Sequence, residues 1–162
     1  MARNNPFGWT RESCLALLAV VFAGCSKGES RTVFIDTDKS EFKVGQQWNY
    51  KTRPGEEDSK LVVVKVETAP GWKIIVHVGV TGLKFRTADG MQDILPHMPF
   101  DESAVKNSVT TKVGDRGRLT NFQKGYELWR GAASSGKGGV FTLPVADAIA
   151  SIEEGLNKSQ AR

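Results

Sequence analysis

The stretch Leu61-Val-Val-Val-Lys-Val-Glu-Thr68, the turn Ala69-Pro70-Gly71 and the stretch Trp72-Lys-Ile-Ile-Val-His-Val-Gly-Val80 decide the fold class of this chain. Both arms are rich in β-branched residues, whose restricted χ1 suits a pleated, extended backbone. In the second arm Val76, Val78 and Val80 share one face at a period of two. Between the arms Pro70 presets φ and Gly71 supplies a positive φ, so the connection is a short antiparallel turn. Upstream, residues 44–53 alternate Trp48 and Tyr50 against Gln47, Asn49 and Lys51, and Pro54-Gly55-Glu-Glu-Asp58 forms the next turn. Residues 32–35 supply a candidate fourth strand.

Beyond Phe85 the sequence reads as helical. Asp101 is placed to cap a helix running to about residue 111, with Ala104, Val105, Ser108 and Val109 on one face. Phe122, Tyr126, Trp129 and Ala133 form a second stripe, which the glycine-rich stretch 131–139 ends. A last helix begins near Leu143, has Pro144 in its first turn, and aligns Val145, Ala148, Ile149, Ile152 and Leu156. Strands first and helices later predict an α+β domain: an antiparallel β-meander of three to four strands packed on one face by two to three C-terminal helices. Trp129, Val145, Ile149 and Ile152 are expected in its core.

The N-terminus carries a different signal. After a segment with Arg3 and Arg11 comes the uncharged run Cys14-Leu-Ala-Leu-Leu-Ala-Val-Val-Phe-Ala-Gly24, followed by Cys25. This is the layout of a secretory signal. As a helix the run reaches about 16 Å, half of a ~30 Å hydrocarbon core, so it is too short to span a bilayer. The Ala23-Gly24-Cys25 junction resembles the lipobox of bacterial lipoproteins, with Phe22 where that family most often has Leu. The resemblance implies cleavage before Cys25, lipidation of its sulfur and acylation of the new amino terminus. Cys14 has Glu12 and Ser13 before it and no preceding apolar segment, so Cys25 alone fits lipidation. The expected organisation is a signal peptide over 1–24, a lipidated N-terminus and tether over 25–43, and one domain over 44–162. Ser26, where Asp favours retention at the inner membrane in that family, points to an outer-membrane anchor facing the periplasm. The bilayer is then a partner through acylated Cys25.

Removing residues 1–24 takes away two positive charges and one negative charge, leaving 138 residues at net +3. The positive charges are interspersed with acids, so the basic stripe that neutralises phosphates is absent from the sequence and nucleic-acid binding is not expected. With Cys25 acylated the exported chain has no free thiol, which excludes a disulfide framework, a thiolate nucleophile and a Cys-based metal site. Gly131-Ala-Ala-Ser-Ser-Gly136-Lys137-Gly138 approaches a phosphate-binding loop but has Gly138 where Mg²⁺ needs Ser or Thr, so no nucleotide is expected. The acidic run Glu56-Glu57-Asp58 lacks the ligand spacing of a calcium loop. No catalytic constellation, metal site or cofactor is read from the chain.

Two histidines remain. His77 shares a face with Ile75, opposite Val76 and Val78, and is either exposed or hydrogen-bonded in a small second core. His97 sits in Leu95-Pro-His-Met-Pro-Phe100, where two prolines stiffen the chain ahead of a helix. As a catalytic imidazole it would take Asp101 or Glu102 as orienting carboxylate. The expected outcome is instead a ring packed on Met98 or an aromatic, or lying on a flat surface, with an ordinary solvent-like pKa; a strongly perturbed pKa would count for the enzyme. Tyr126 and Trp129 are candidates for stacking on sugar rings, although their helical spacing with Phe122 places them first in the core, and Arg53, Arg130 and the acidic turn 56–58 are candidates for a protein interface.

The segments 48–59, 94–100 and 125–130 together resemble a group of small, uncharacterised proteobacterial proteins, which implies a discrete domain and carries no activity. The functional expectation is a non-catalytic binding or accessory module of the cell envelope, of inhibitor or immunity type, with a protein partner there. The alternative is a small periplasmic hydrolase or ligand-binding enzyme centred on His97.

Overall fold

The computed structural model describes residues 32–87, 90–115, 117 and 121–160. The signal segment and Cys25 lie outside the described residues. Among the described residues six strands and three helices follow in the order β1 Ile35–Asp36, β2 Gln47–Tyr50, β3 Lys60–Thr68, β4 Ile75–Thr87, β5 Gly90–Asp101, α1 Glu102–Ser108, β6 Val109–Gly114, α2 Phe122–Ser134 and α3 Val145–Gln160. The sheet is antiparallel with order β5-β4-β3-β2-β6, and β1 pairs with the far end of β3. The domain is therefore α+β as expected, with more strands than the three to four anticipated.

The β3–β4 hairpin is the centre of the sheet, pairing Leu61 with Val80, Val63 with Val78 and Val66 with Val76. These residues are buried in the main core with Phe42, Leu83, Phe85, Met98 and Phe100. On that face lie α1, through Ala104 and Val105, and α3, through Val145, Ala148 and Ile149. A second, smaller core of Phe34, Ala69, Ile75 and Ala133, flanked by Trp72, Trp129 and Val140, occupies the opposite face. There α2 docks. The expectation that the helices share one face is thus corrected, and Trp129 belongs to the second core.

Two local readings also change. Residues 90–100 are strand, because Pro96 and Pro99 are placed where the ladder does not need their N–H. Pro96 falls at a bulge, since Met98 pairs with Val78 but Leu95 with Val80, three residues of β5 against two of β4. At Pro99 the carbonyl turns outward to accept from Phe141 N–H at 2.9 Å. The helix after Asp101 ends at Ser108, short of residue 111, because the β-branched run Val109-Thr110-Thr111 continues as β6 and pairs with β2. Asp101 caps α1 as expected, accepting from Ser103 N–H at 2.9 Å.

Ile149 is fully buried, whereas Ile152 packs at the margin of the main core. Ile149→Ala is expected to lower the unfolding free energy by about 2–5 kcal/mol through the cavity it leaves. Urea melts should show a smaller loss for Ile152→Ala. Equal losses would mean that α3 is seated differently.

Candidate functional site

In a regular strand residues 61, 63, 65 and 67 would all face the main core. They do not, because the β3–β4 register shifts between Val63 and Lys65. The extra residue reverses the alternation, so that Lys65, opposite His77, and Glu67, opposite Ile75, face the second core. The bulge in β5 has the matching effect, setting Leu95 and Met98 on the main-core face and His97 beside His77. From α2 comes Tyr126. Gly125 makes this approach possible: a Cβ there would stand 2.9 Å from His97 Cβ.

These residues form one chain of hydrogen bonds. Tyr126 donates its hydroxyl to Glu67 Oε2 at 2.8 Å, Glu67 Oε1 lies 3.2 Å from His77 Nε2, and His77 Nδ1 lies 2.9 Å from His97 Nε2. Glu67 and His77 are at most 1% exposed. Burial raises the Glu67 carboxyl, but the hydrogen bonds from His77 and Tyr126, together with the charge of Lys65, outweigh it and hold it below its ordinary value. A buried carboxylate only accepts, so His77 Nε2 carries hydrogen and His77 Nδ1 accepts from His97. Burial drives the His77 imidazole down, with Glu67 only partly offsetting it. Burial, aided by the neighbouring His77, brings His97 to about 4. Burial and then the Glu67 carboxylate push the Tyr126 phenol up. The solvent-like pKa expected for His97 is therefore corrected, because its ring sits among His77, Tyr126 and Trp129, with centroids 5.1, 6.0 and 6.3 Å away.

Tyr126 also lines a groove of about 800 Å³ whose floor includes Phe42, Val64 and Val66. One wall is α2, with Phe122, Gln123, Tyr126 and Arg130; the other runs along residues 36–38 and 42–44. Lys65 Nζ lies 5.3 Å and Arg130 Cζ 5.9 Å from the centroid of the Tyr126 ring. Neither histidine is among the groove residues.

Of the residues singled out in the sequence, the structure brings His97, Tyr126, Trp129 and Arg130 to one region. Trp129 packs edge-on against His77 at 4.7 Å and donates its indole N–H to Gly139 O at 2.7 Å. Arg53 lies elsewhere, donating to Glu56 Oε2 at 2.8 Å and to Glu153 Oε2 at 2.6 Å, which ties the β2–β3 turn to α3. Neither carboxylate proposed for His97 reaches it: Asp101 caps α1 and Glu102 accepts from the Ser40 hydroxyl. The loop resembling a phosphate cradle is the C-terminal turn of α2, with the N–H groups of Lys137 and Gly138 both returned to Ala132 O. Among the described residues no group of three or more His, Cys, Asp or Glu is placed to hold a metal ion. Glu67 was not read from sequence; its only signal is a lone acid in an apolar strand.

Comparison with family models, with curated proteins and with solved structures finds no match to this chain. The functional reading therefore rests on the site itself.

Two substitutions test the geometry. Gly125→Ala should stabilise an ordinary helix by ~1 kcal/mol, yet the clash with His97 is expected to destabilise this protein by about 1–3 kcal/mol. Tyr126→Phe keeps the ring and removes the hydroxyl from Glu67, with an expected loss of about 1–3 kcal/mol. Both are read from denaturant melts, and a stabilised Gly125→Ala protein would refute the close approach.

Proposed function

We propose that this chain is a membrane-anchored periplasmic lipoprotein, held by acylated Cys25, whose domain binds a protein partner of the envelope through the groove beside α2. The observation that carries this reading is Tyr126, whose hydroxyl is fixed on Glu67 while its ring stands at the groove wall between Lys65 and Arg130. Arg130, with Lys43, Asp36 and Asp38 at the rim, gives the groove a polar mouth, and Tyr126, itself 5% exposed, supports that wall from within, which favours docking of a charged protein segment. The polar chain behind Tyr126 is hydrogen-bonded within the fold from Tyr126 through Glu67 and His77 to His97 Nε2, so its part is to position α2. The competing reading, a small periplasmic hydrolase or ligand-binding enzyme centred on His97, gains from the lowered pKa of the His97 imidazole but has less support: His97 lies outside the groove, and its partner is His77 rather than a carboxylate.

Crosslinking and affinity capture of the full-length anchored protein from envelope extracts is expected to recover a protein partner. Arg130→Ala should weaken that association by roughly 2 kcal/mol, a loss of about thirtyfold. Capture indifferent to Arg130, or no partner at native expression, would count against the groove. Anchoring is tested separately: labelling with a fatty-acid analogue should be abolished by Cys25→Ser, and persistence of the label would refute lipidation at this residue.

A further inference from the structure

The gap between His77 Nδ1 and His97 Nε2, 2.9 Å, holds one hydrogen. With His77 Nε2–H and the Tyr126 hydroxyl both directed at Glu67, that hydrogen comes from His97. His97 Nδ1 is then the vacant imidazole lone pair of the chain; on a half-buried ring it lies at the solvent-reached margin of the α2 contact, 3.4 Å from where a Cβ on Gly125 would stand. A first proton taken up in acid settles on His97 Nδ1, creating a cation against the helix. Each later proton meets a donor. On His77 Nδ1 it would set two N–H groups face to face, and on Glu67 it would remove an acceptor that His77 or Tyr126 needs.

The charged groups facing this chain are of both signs: the Glu67 carboxylate favours a positive charge on the imidazoles, though it does not offset their burial. Lys65 of β3 lies 3.7 Å from Glu67 Oε2, and Arg130 of α2 stands over the Tyr126 ring, so both disfavour a further positive charge. Asp36 of β1 opposes them but is exposed and paired with Lys65. On the sheet α2 is seated by Tyr126 on Glu67, Trp129 on His77 and Gly125 on His97. The chain's two histidines both lie in this assembly, and the main core on the other face contains none.

We propose that the Glu67–His77–His97 chain is an acid-sensitive latch: protonation at its His97 end releases α2 from the sheet, and with it one wall of the groove, while the main core stays folded. Both imidazoles titrate below their ordinary 6.5 when α2 is seated, His97 at about 4. The released state therefore binds protons that the seated state does not, and opening is favoured as pH falls from 6.5 towards 4. Each proton so linked raises the opening equilibrium about tenfold per pH unit.

Amide exchange of the full chain between pH 7 and pH 4.5, corrected for the intrinsic rate, reads this directly. Amides of α2 are expected to open about tenfold more per pH unit while those of β3, β4 and α3 hold their protection, and His97→Gln should flatten the response. Joint opening of α2 and α3, an unresponsive α2, or an unchanged response in His97→Gln would overturn the latch. Should His97→Gln not fold, the wild-type protein decides: the imidazole titration of His97 must share its midpoint with α2 opening, and separate midpoints overturn the proposal. No groove ligand enters the measurement, so it stands or falls apart from the partner reading.

Discussion

A carboxylate in a dry layer between a sheet and a helix must be fully hydrogen-bonded or it destabilises the fold by several kcal/mol. Glu67 is that group, and much of the second face is arranged around it. Both its oxygens have partners, one on β4 and one on α2, so the carboxylate joins sheet to helix as well as being satisfied by them. Reaching this arrangement required one irregularity in β3, a second in β5, and a helix residue without a side chain where α2 crosses His97.

The opposite face is built differently. Its contacts are chiefly apolar packing of α1 and α3 on the valines of the central hairpin, with one buried carboxylate, Glu56, held by Arg53. Where β4 and β5 slip out of register between Thr81 and Phe85, Gly82 takes a left-handed φ of 72° beside the backbone of Ser59. Two carboxylates then stand in near the irregular ladder: Glu56 accepts from Lys84 N–H and Glu153 from Arg86 N–H, each at 2.7 Å. Arg53 bridges the same two acids. On this face directed hydrogen bonds gather at the irregular end of β4, whereas on the other they lie at the centre, under α2.

This contrast explains what could be read from sequence. The β3–β4 hairpin, the Asp101 cap and the stripes of α2 and α3 announced themselves, because each follows a regular period or a local cap rule. The site depends on broken periods. By strict alternation Glu67 would share the face of Leu61 and Val63, and only the extra residue between Val63 and Lys65 sends it to the other side. His77 was read to the correct face because β4 is regular there, whereas His97 follows a bulge that its two prolines disguised as a loop. Gly125 was an overlooked clue: a glycine inside an amphipathic stripe indicates close approach by another element.

The sheet order has a consequence for how the chain reaches this state. The β3–β4 and β4–β5 pairings join consecutive strands, but β2, which ends at Tyr50, waits for β6, which begins at Val109, and α1 must carry the chain from one sheet edge to the other in between. Closing so distant a pairing is slow compared with hairpin formation. During synthesis the half-apolar edge of β2 stays open until some sixty further residues have arrived, and an unpaired edge is where strands of neighbouring molecules add. Delayed delivery of β6 is therefore the point at which this polypeptide is most exposed to misassembly and to capture by chaperones.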